Sequence, residues 1–385
     1  MMHVLFLPKW YPNEYDPFDG NFIENHAHAI KLKAKVSILF VHSEESNQDN
    51  YRILTTDNKG LNEVRVFYRK PNTGINLIDK IFGFFRFKKA QQIAFSTLVK
   101  EDKAPDLVHV HVLSRSALLA LTLKRKYKIP FVITEHWSGY LKSNGSYRGF
   151  LKKRFTEYVV KKSSGVHTVS SQLKEAMLSH NLNNNYTVIP NVVDTDLFKP
   201  LPKENKICEI IFVGNLLQNP KQIFNIIRGM NSLKEKGKKF HLSIYGEGDD
   251  EQKAKDLSTS LELEHCISFK GTLNRKGIGQ AMALSDFLIL FSKFENQPCV
   301  IAEAHASGIP IIVPDLGGIA ELMKPELGIL VKTGDQVDFE NALEKMVDTY
   351  STYDSNYIRV FGVKHFGEIE IANQFHQFYQ KALQA

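Results

Sequence analysis

Short apolar runs alternate with helix-length amphipathic stretches along nearly the whole chain. HVLFLP (3–8), KVSILFVH (35–42), VRVFYR (64–69), DLVHVHV (106–112), PFVITEH (130–136), GVHTVS (165–170) and YTVIPN (186–191) predict seven strands. Amphipathic segments near 21–33, 80–100, 115–127, 147–162 and 171–180 fall between several of them. Strands that are apolar throughout suit a parallel sheet covered on both faces, so the first half reads as a doubly wound α/β domain. The polar stretch DTDLFKPLPKENK (194–206) carries two prolines and no periodicity, and predicts a linker. The pattern then restarts with EIIFVGN (209–215), FHLSIYG (240–246), CISFKGT (266–272), DFLILFS (286–292), IPIIVPD (309–315) and GILVKT (328–333).

Two Rossmann-like α/β domains facing across a cleft are therefore expected, at 1–198 and 199–365. A closing amphipathic helix, about 366–385, carries Phe366, Phe375, Phe378 and Tyr379 back to the first domain. Open α/β sheets bind ligands beyond the carboxyl ends of their strands, so the chemistry is expected in that cleft.

Composition narrows the picture. The 385 residues are 43% hydrophobic and 24% charged, an ordinary globular mixture. Cys208, Cys266 and Cys299 form no C-x-x-C pair, which argues against a zinc site or a disulfide framework. The apolar run in MMHVLFLPKWYP is too short for a signal peptide, and no apolar run reaches eighteen residues, so a cytoplasmic protein is expected. Residues 1–200 hold 29 Lys/Arg against 18 Asp/Glu, whereas residues 201–385 hold 20 against 24. A basic front half predicts an anionic partner, or merely a solvated surface. No nucleic-acid-binding module is evident, and neither a G-x-G-x-x-G after the first strand nor a Walker loop is present.

The stretch FSKFENQPCVIAEAHASGIPIIVPDLGG (291–318) holds the candidate chemistry. Pro298 suits a first helical position and Gly308 a helix stop, so Glu295 falls in a strand-to-helix loop and Glu303 in the helix. Their carboxylates should stand roughly 8 Å apart or more. That is wider than the pair of a retaining hydrolase, about 5–5.5 Å. Such spacing suits hydroxyl-bearing groups at the two ends of a diphosphate, with the helix start between them as a phosphate seat.

Glu295-Asn296-Gln297-Pro298-Cys299-Val300-Ile301-Ala302-Glu303 resembles the E-x7-E signature of the retaining GT-B fold glycosyltransferases of family 4, the group 1 glycosyltransferases. The resemblance implies that Glu295 holds donor-sugar hydroxyls, Glu303 holds the ribose, and the main-chain N–H groups of Asn296 and Gln297 meet the sugar or distal phosphate. IFVGNLLQNPKQ (211–222) resembles the family's donor-phosphate loop around Gly214. Lys221 keeps its cation, but Asn215 stands where arginine is usual and Gln222 where glycine is usual. VIPNVVDTDLFKP (188–200) resembles the family's entry into the second domain, and FKGTLNR (269–275) the segment that holds the base. The glycines of SIYGEG (243–248) are expected to shape a turn. In the front domain, the resemblance places Gly20 near the diphosphate and His136, at a strand end, near the reacting centre. His109 and His111 receive no chemical role.

These readings predict a retaining glycosyltransferase that moves a sugar from a UDP- or GDP-linked donor to a glycan or lipid-linked acceptor in cell-surface polysaccharide or lipopolysaccharide synthesis. They imply no separate cofactor and no metal, because Lys221 and helix ends would offset the leaving charge. The rivals are an inactive sugar-nucleotide-binding assembly subunit, favoured by Asn215, and a GT-B fold nucleotide-sugar epimerase. DKIFGFFRFKKAQ (79–91) and YRGFLKKRFTEYVVKK (147–162) mix aromatic with basic residues. They predict either a peripheral seat on the anionic inner face of the cell membrane or a core-facing aromatic stripe.

Overall fold

The continuous apolar runs become the inner strands of two sheets. A computed structural model describes residues 1–45, 49–101, 103–203 and 207–384. The first sheet contains β1 (His3–Pro8), β2 (Lys35–Glu44), β3 (Tyr51–Asn58), β4 (Leu61–Arg69), β5 (Leu107–His111), β6 (Phe131–Glu135), β7 (Val166–Thr168) and β8 (Tyr186–Val188). Their spatial order is 3-4-2-1-5-6-7-8. All pairings are parallel except that of β3, which runs antiparallel to β4 at the sheet edge. The apolar pattern does not predict β3. An edge strand none of whose residues is buried needs no apolar run.

Helices α1 (Asn21–Ile30), α2 (Asn76–Glu101), α3 (Ala117–Tyr127), α4 (Phe150–Lys162) and α5 (Ser171–Ser179) connect these strands. Ser170 starts α5 by accepting the Leu173 N–H, an ordinary serine cap.

The second sheet contains β9 (Cys208–Val213), β10 (Phe240–Tyr245), β11 (Ile267–Phe269), β12 (Phe287–Ile289), β13 (Ile311–Pro314) and β14 (Gly328–Val331), all parallel in the order 11-10-9-12-13-14. Its helices are α6 (Ile223–Glu235), α7 (Glu251–Ser260), α8 (Arg275–Leu284), α9 (Cys299–Ala306), α10 (Gly317–Ala320), α11 (Gln336–Thr349) and α12 (Ser355–Phe366). The run expected to be strand as far as Ser292 leaves the sheet after Ile289, yet Leu290, Phe291 and Ser292 stay fully buried.

A last helix, α13 (Glu368–Gln384), packs on α1, and its Phe375, Phe378 and Tyr379 enter the first domain's core. Phe366 does not belong to that helix. It ends α12 and is buried in the second core. The polar segment after residue 193 is also less free than its composition implies, because Phe198 is fully buried in the second core; residues 204–206 lie outside the described residues. Val192 belongs to the first core and Val193 to the second. The two interdomain crossings lie side by side: the Val193 N–H donates to the Phe366 carbonyl at 2.8 Å, and Val193 bridges to Gly367.

Candidate functional site

In each sheet the chain leaves the middle in both directions: β1 lies between β2 and β5, and β9 between β10 and β12. A crevice opens beyond the carboxyl ends at such a switch point. In the second domain the loops after β9 and β10 interlock there. Gly214 N–H donates to the Tyr245 carbonyl at 3.0 Å, and Gly246 N–H to the Gly271 carbonyl at 2.9 Å. Gly246 has φ +135°, and a Cβ there would lie 2.0 Å from the Gly214 carbonyl oxygen. Only glycine fits, so its role is the close approach that sets the crevice floor.

A cavity of roughly 410 Å³ occupies this crevice. From the second domain Gly214, Asn215, Gly246, Arg275, Cys299 and Glu303 line it; from the first, Asp16, Phe18 and Asn21 close it. Glu303 is the fifth residue of α9. Burial pushes its carboxyl up to about 7, an effect that nearby Arg275 partly counters. Burial likewise pushes the Cys299 thiol up to about 12, which makes it a poor nucleophile at neutral pH.

Pro298 is not the first helical position but the residue that caps α9, with φ −63° and ψ 129°. Its ring fixes only φ, and with ψ extended Pro298 stands just outside the helix, so the turn of α9 begins at Cys299. The expected stop is in place, since α9 ends just before Ser307 and Gly308.

Beside the cavity, Lys221 Nζ meets Glu295 Oε1 at 2.5 Å, with side chains 19% and 16% exposed. Lys221 passes close to Gly214, whose Cβ, if present, would lie 3.7 Å from Lys221 Cε. The Lys293 N–H donates to the Pro220 carbonyl at 2.9 Å and ties the two loops together. Asn296 and Gln297 turn their side chains to the first domain. Asn296 Nδ2 donates to the His136 carbonyl at 2.6 Å, while Gln297 accepts twice from Asn191, from its main-chain N–H and its side-chain amide. Among the described residues, the main-chain N–H groups of Asn296 and Gln297 have no hydrogen-bond partner.

The first domain presents a different chemistry. His136 follows β6, and burial holds its ring well below the usual histidine range, so it is neutral; its Nε2 has no partner. Its ring lies 4.4 Å from Phe22 and 5.6 Å from His26. His109 and His111 are fully buried. His109 is held between Tyr379 Oη at 2.7 Å and Thr134 Oγ1 at 2.5 Å. Gly20 lies at the start of α1 with φ +64°, where a Cβ would come within 2.4 Å of the Trp10 carbonyl. It permits a tight crossing, and its neighbour Asn21 reaches the cavity.

The structure thus gathers Gly214, Asn215 and Glu303 in one cavity, and Lys221, Glu295 and Asn296 in an adjoining group that touches His136. The sequence reading did not single out the side chain of Arg275. Its available signal was Asn274, which caps α8 by accepting the Gly277 N–H at 2.9 Å, so that the helix start and Arg275 face the crevice. Among the described residues, no cluster of three or more metal-ligating side chains occurs, and no helix is long and apolar enough to cross a membrane.

Two family models match consecutive parts of the chain: Glycosyltransferase Family 4 over residues 29–197 and Glycosyl transferases group 1 over residues 193–357. A Bacillus subtilis (strain 168) glycosyltransferase provisionally assigned to teichuronic acid biosynthesis is 22% identical over 364 residues, covering 86% of this chain and 85% of its own. The lipopolysaccharide 1,6-galactosyltransferase of Escherichia coli (strain K12) is 28% identical over 203 residues, 51% of this chain and 55% of its own. Among solved structures, Anabaena Alr3699/HepE in complex with UDP-glucose superposes with a TM-score of 0.69 at 14% identity, covering 99% of this chain and all of that one.

Proposed function

This chain belongs to the group 1 glycosyltransferases of the GT-B fold, and we propose that it moves a hexosyl group from a UDP-linked donor, with retention at the anomeric carbon, to a glycan or lipid-linked acceptor of a cell-surface polysaccharide or lipopolysaccharide. The observation that carries this reading is the convergence of Glu303, the Gly214–Asn215 backbone and the Lys221–Glu295 pair at the carboxyl ends of one sheet, across from the first domain. Glu303 suits the ribose hydroxyls. The unpartnered N–H groups of Asn296 and Gln297, ahead of the α9 terminus, suit the diphosphate. Glu295 suits the sugar hydroxyls, and Lys221 balances charge on the departing phosphate. The bond from the anomeric carbon to the diphosphate oxygen breaks, the acceptor oxygen bonds to that carbon, and the acceptor proton passes to the leaving diphosphate. The UDP-glucose held by the Anabaena protein and the galactosyl transfer named for the E. coli relative support a UDP-hexose donor over a GDP-linked one.

We further propose that the protein sits on the anionic inner face of the cell membrane. On α2, Leu77, Ile81, Phe82 and Phe85 are exposed, with Lys80, Arg86, Lys88 and Lys89 around them, and on α4 Phe150 and Leu151 are exposed beside Lys153 and Arg154. Aromatic and aliphatic side chains that face outward among cations suit an anionic membrane surface.

The test is titration with UDP, GDP and their hexose conjugates, followed by NMR of the product anomer. UDP binding and a product with the donor's anomeric configuration are expected. Tighter binding of GDP, or an inverted product, would remove the corresponding part. Phosphatidylglycerol vesicles should co-sediment the protein at low salt, and the Phe82→Ser/Phe85→Ser variant should sediment less; no sedimentation of the wild type would remove the membrane part.

A further inference from the structure

A second crevice opens in the first domain at the carboxyl ends of β1 and β2 and before α3, at that sheet's own switch point. Its volume is roughly 280 Å³. Its polar lining includes Lys9, Asp19, His42, Gln91, Ser114 and Arg115, supplied by separate segments of the chain. Two cations stand in it: among the described residues, neither Lys9 nor Arg115 lies within ion-pair distance of a carboxylate, although Asp19 is close enough to Lys9 for the two charges to interact. Both are nonetheless held in place by aromatic groups. The Arg115 guanidinium lies 4.1 Å over the Phe87 ring and donates to Tyr68 Oη at 2.9 Å, and Lys9 Nζ lies 4.5 Å over the Trp10 ring. A fixed, unpaired guanidinium presents a planar fork of donors that matches a phosphate or a carboxylate. Asp19 is the one carboxylate in the lining. Burial, helped by Asp16, pushes it up to about 6 against the opposing pull of the Tyr11 N–H and of Lys9, so near neutral pH it is largely a carboxylate: it can accept from a sugar hydroxyl and offsets at most one of the two positive charges.

We propose that this crevice seats the acceptor and selects one that carries a negative charge, a phosphate or carboxylate held by Lys9 and Arg115, with its sugar hydroxyls toward Asp19, His42 and Gln91. The inference rests on the transferase reading above and specifies its acceptor. Phe87 and Gln91 both belong to α2, whose opposite surface carries the exposed Phe82 and Phe85. One helix therefore joins the anion seat to the apolar face, so a headgroup diphosphate at a lipid surface and a charged soluble glycan share the same recognition chemistry.

The test titrates UDP-saturated protein with glucose, glucose 1-phosphate and glucuronate by calorimetry. At least one of the anionic sugars should bind about tenfold tighter than glucose, and in the Lys9→Gln/Arg115→Gln variant that advantage should shrink to about threefold or less with UDP affinity kept. Equal affinity for all three sugars overturns the proposal, and so does a preference that survives the double substitution. The wild-type comparison decides the matter even if the variant folds poorly. Loss of UDP binding by the wild type would instead strike the transferase reading. Turnover with a polyprenyl-diphosphate-linked sugar in vesicles, set against glucose 1-phosphate in solution, identifies the source of the anion; faster transfer to an uncharged glycan than to either overturns the proposal.

Discussion

The two walls of the cleft handle charge in opposite ways. On the second-domain wall, Lys221 is already paired with Glu295, and Glu303 is a carboxyl raised toward neutrality by burial. On the first-domain wall, Lys9 and Arg115 rest on aromatic faces with no ion-pair partner among the described residues, and the histidines behind them are buried and neutral. A paired cation can exchange its partner for a phosphate without ever being exposed as a bare buried charge. An unpaired cation on a ring face instead stands ready for an anion that arrives from solution. On the proposed reading, the preorganised wall takes the nucleotide and the open wall chooses the acceptor.

The sharpest way to break this contrast is to remove the paired cation. Lys221→Ala should lower turnover by about 10²–10³-fold, because it removes charge stabilisation of the leaving group and leaves Glu295 without a partner. Steady-state rates check this, and a change below about tenfold would deny Lys221 its role. Next in size is Gly246→Ala. With φ +135° and a Cβ 2.0 Å from the Gly214 oxygen, it should cost about 2–4 kcal/mol and displace the donor loop. Denaturant unfolding together with UDP titration would show both losses.

A third prediction sets the domains apart by acid. Burial lowers His26 to about 3 and His167 to about 4, and His109, His111 and His136 lie well below 6.5. Between those values and 6.5 the unfolded chain binds protons that the folded chain does not. Stability is therefore fully present above about pH 6.5 and is lost as the pH falls toward 4. Both tryptophans, Trp10 and Trp137, lie in the first domain, so their fluorescence reports its melting alone. That melting point should drop between pH 7 and 5, and a flat profile would contradict the buried cluster.

The smallest effect concerns Glu303, whose carboxyl is raised to about 7. If only the carboxylate form holds the ribose, UDP affinity should rise by up to about tenfold from pH 6 to pH 8, and Glu303→Gln should flatten that rise. Calorimetry at the two pH values checks it.

The donor wall was largely legible in the sequence because its groups lie in short continuous motifs. Glu295 through Glu303 share one loop and helix, and Gly214 and Lys221 share another loop. Arg275 escaped because its motif pointed to main-chain contacts. The acceptor wall was not legible, since Lys9, Asp19, His42, Gln91 and Arg115 meet only when the first sheet and α2 are assembled. The aromatic-basic stretches left two readings open, and the exposure of Phe82, Phe85 and Phe150 rules out a wholly core-facing stripe. The edge strand β3 was invisible for the converse reason: a strand that buries little leaves no apolar signature.

The adjacent passages at Val193 and Gly367 have a mechanical consequence. Two straps stitched to each other behave as a door hinge and not as a tether: they permit swinging about a line near their shared bond and resist twisting or sliding. Any closing of the cleft must then bring the two walls together along nearly the same arc on every cycle, so the alignment of the incoming hydroxyl with the sugar carbon is set as much by where the straps are sewn as by the groups that touch the substrates.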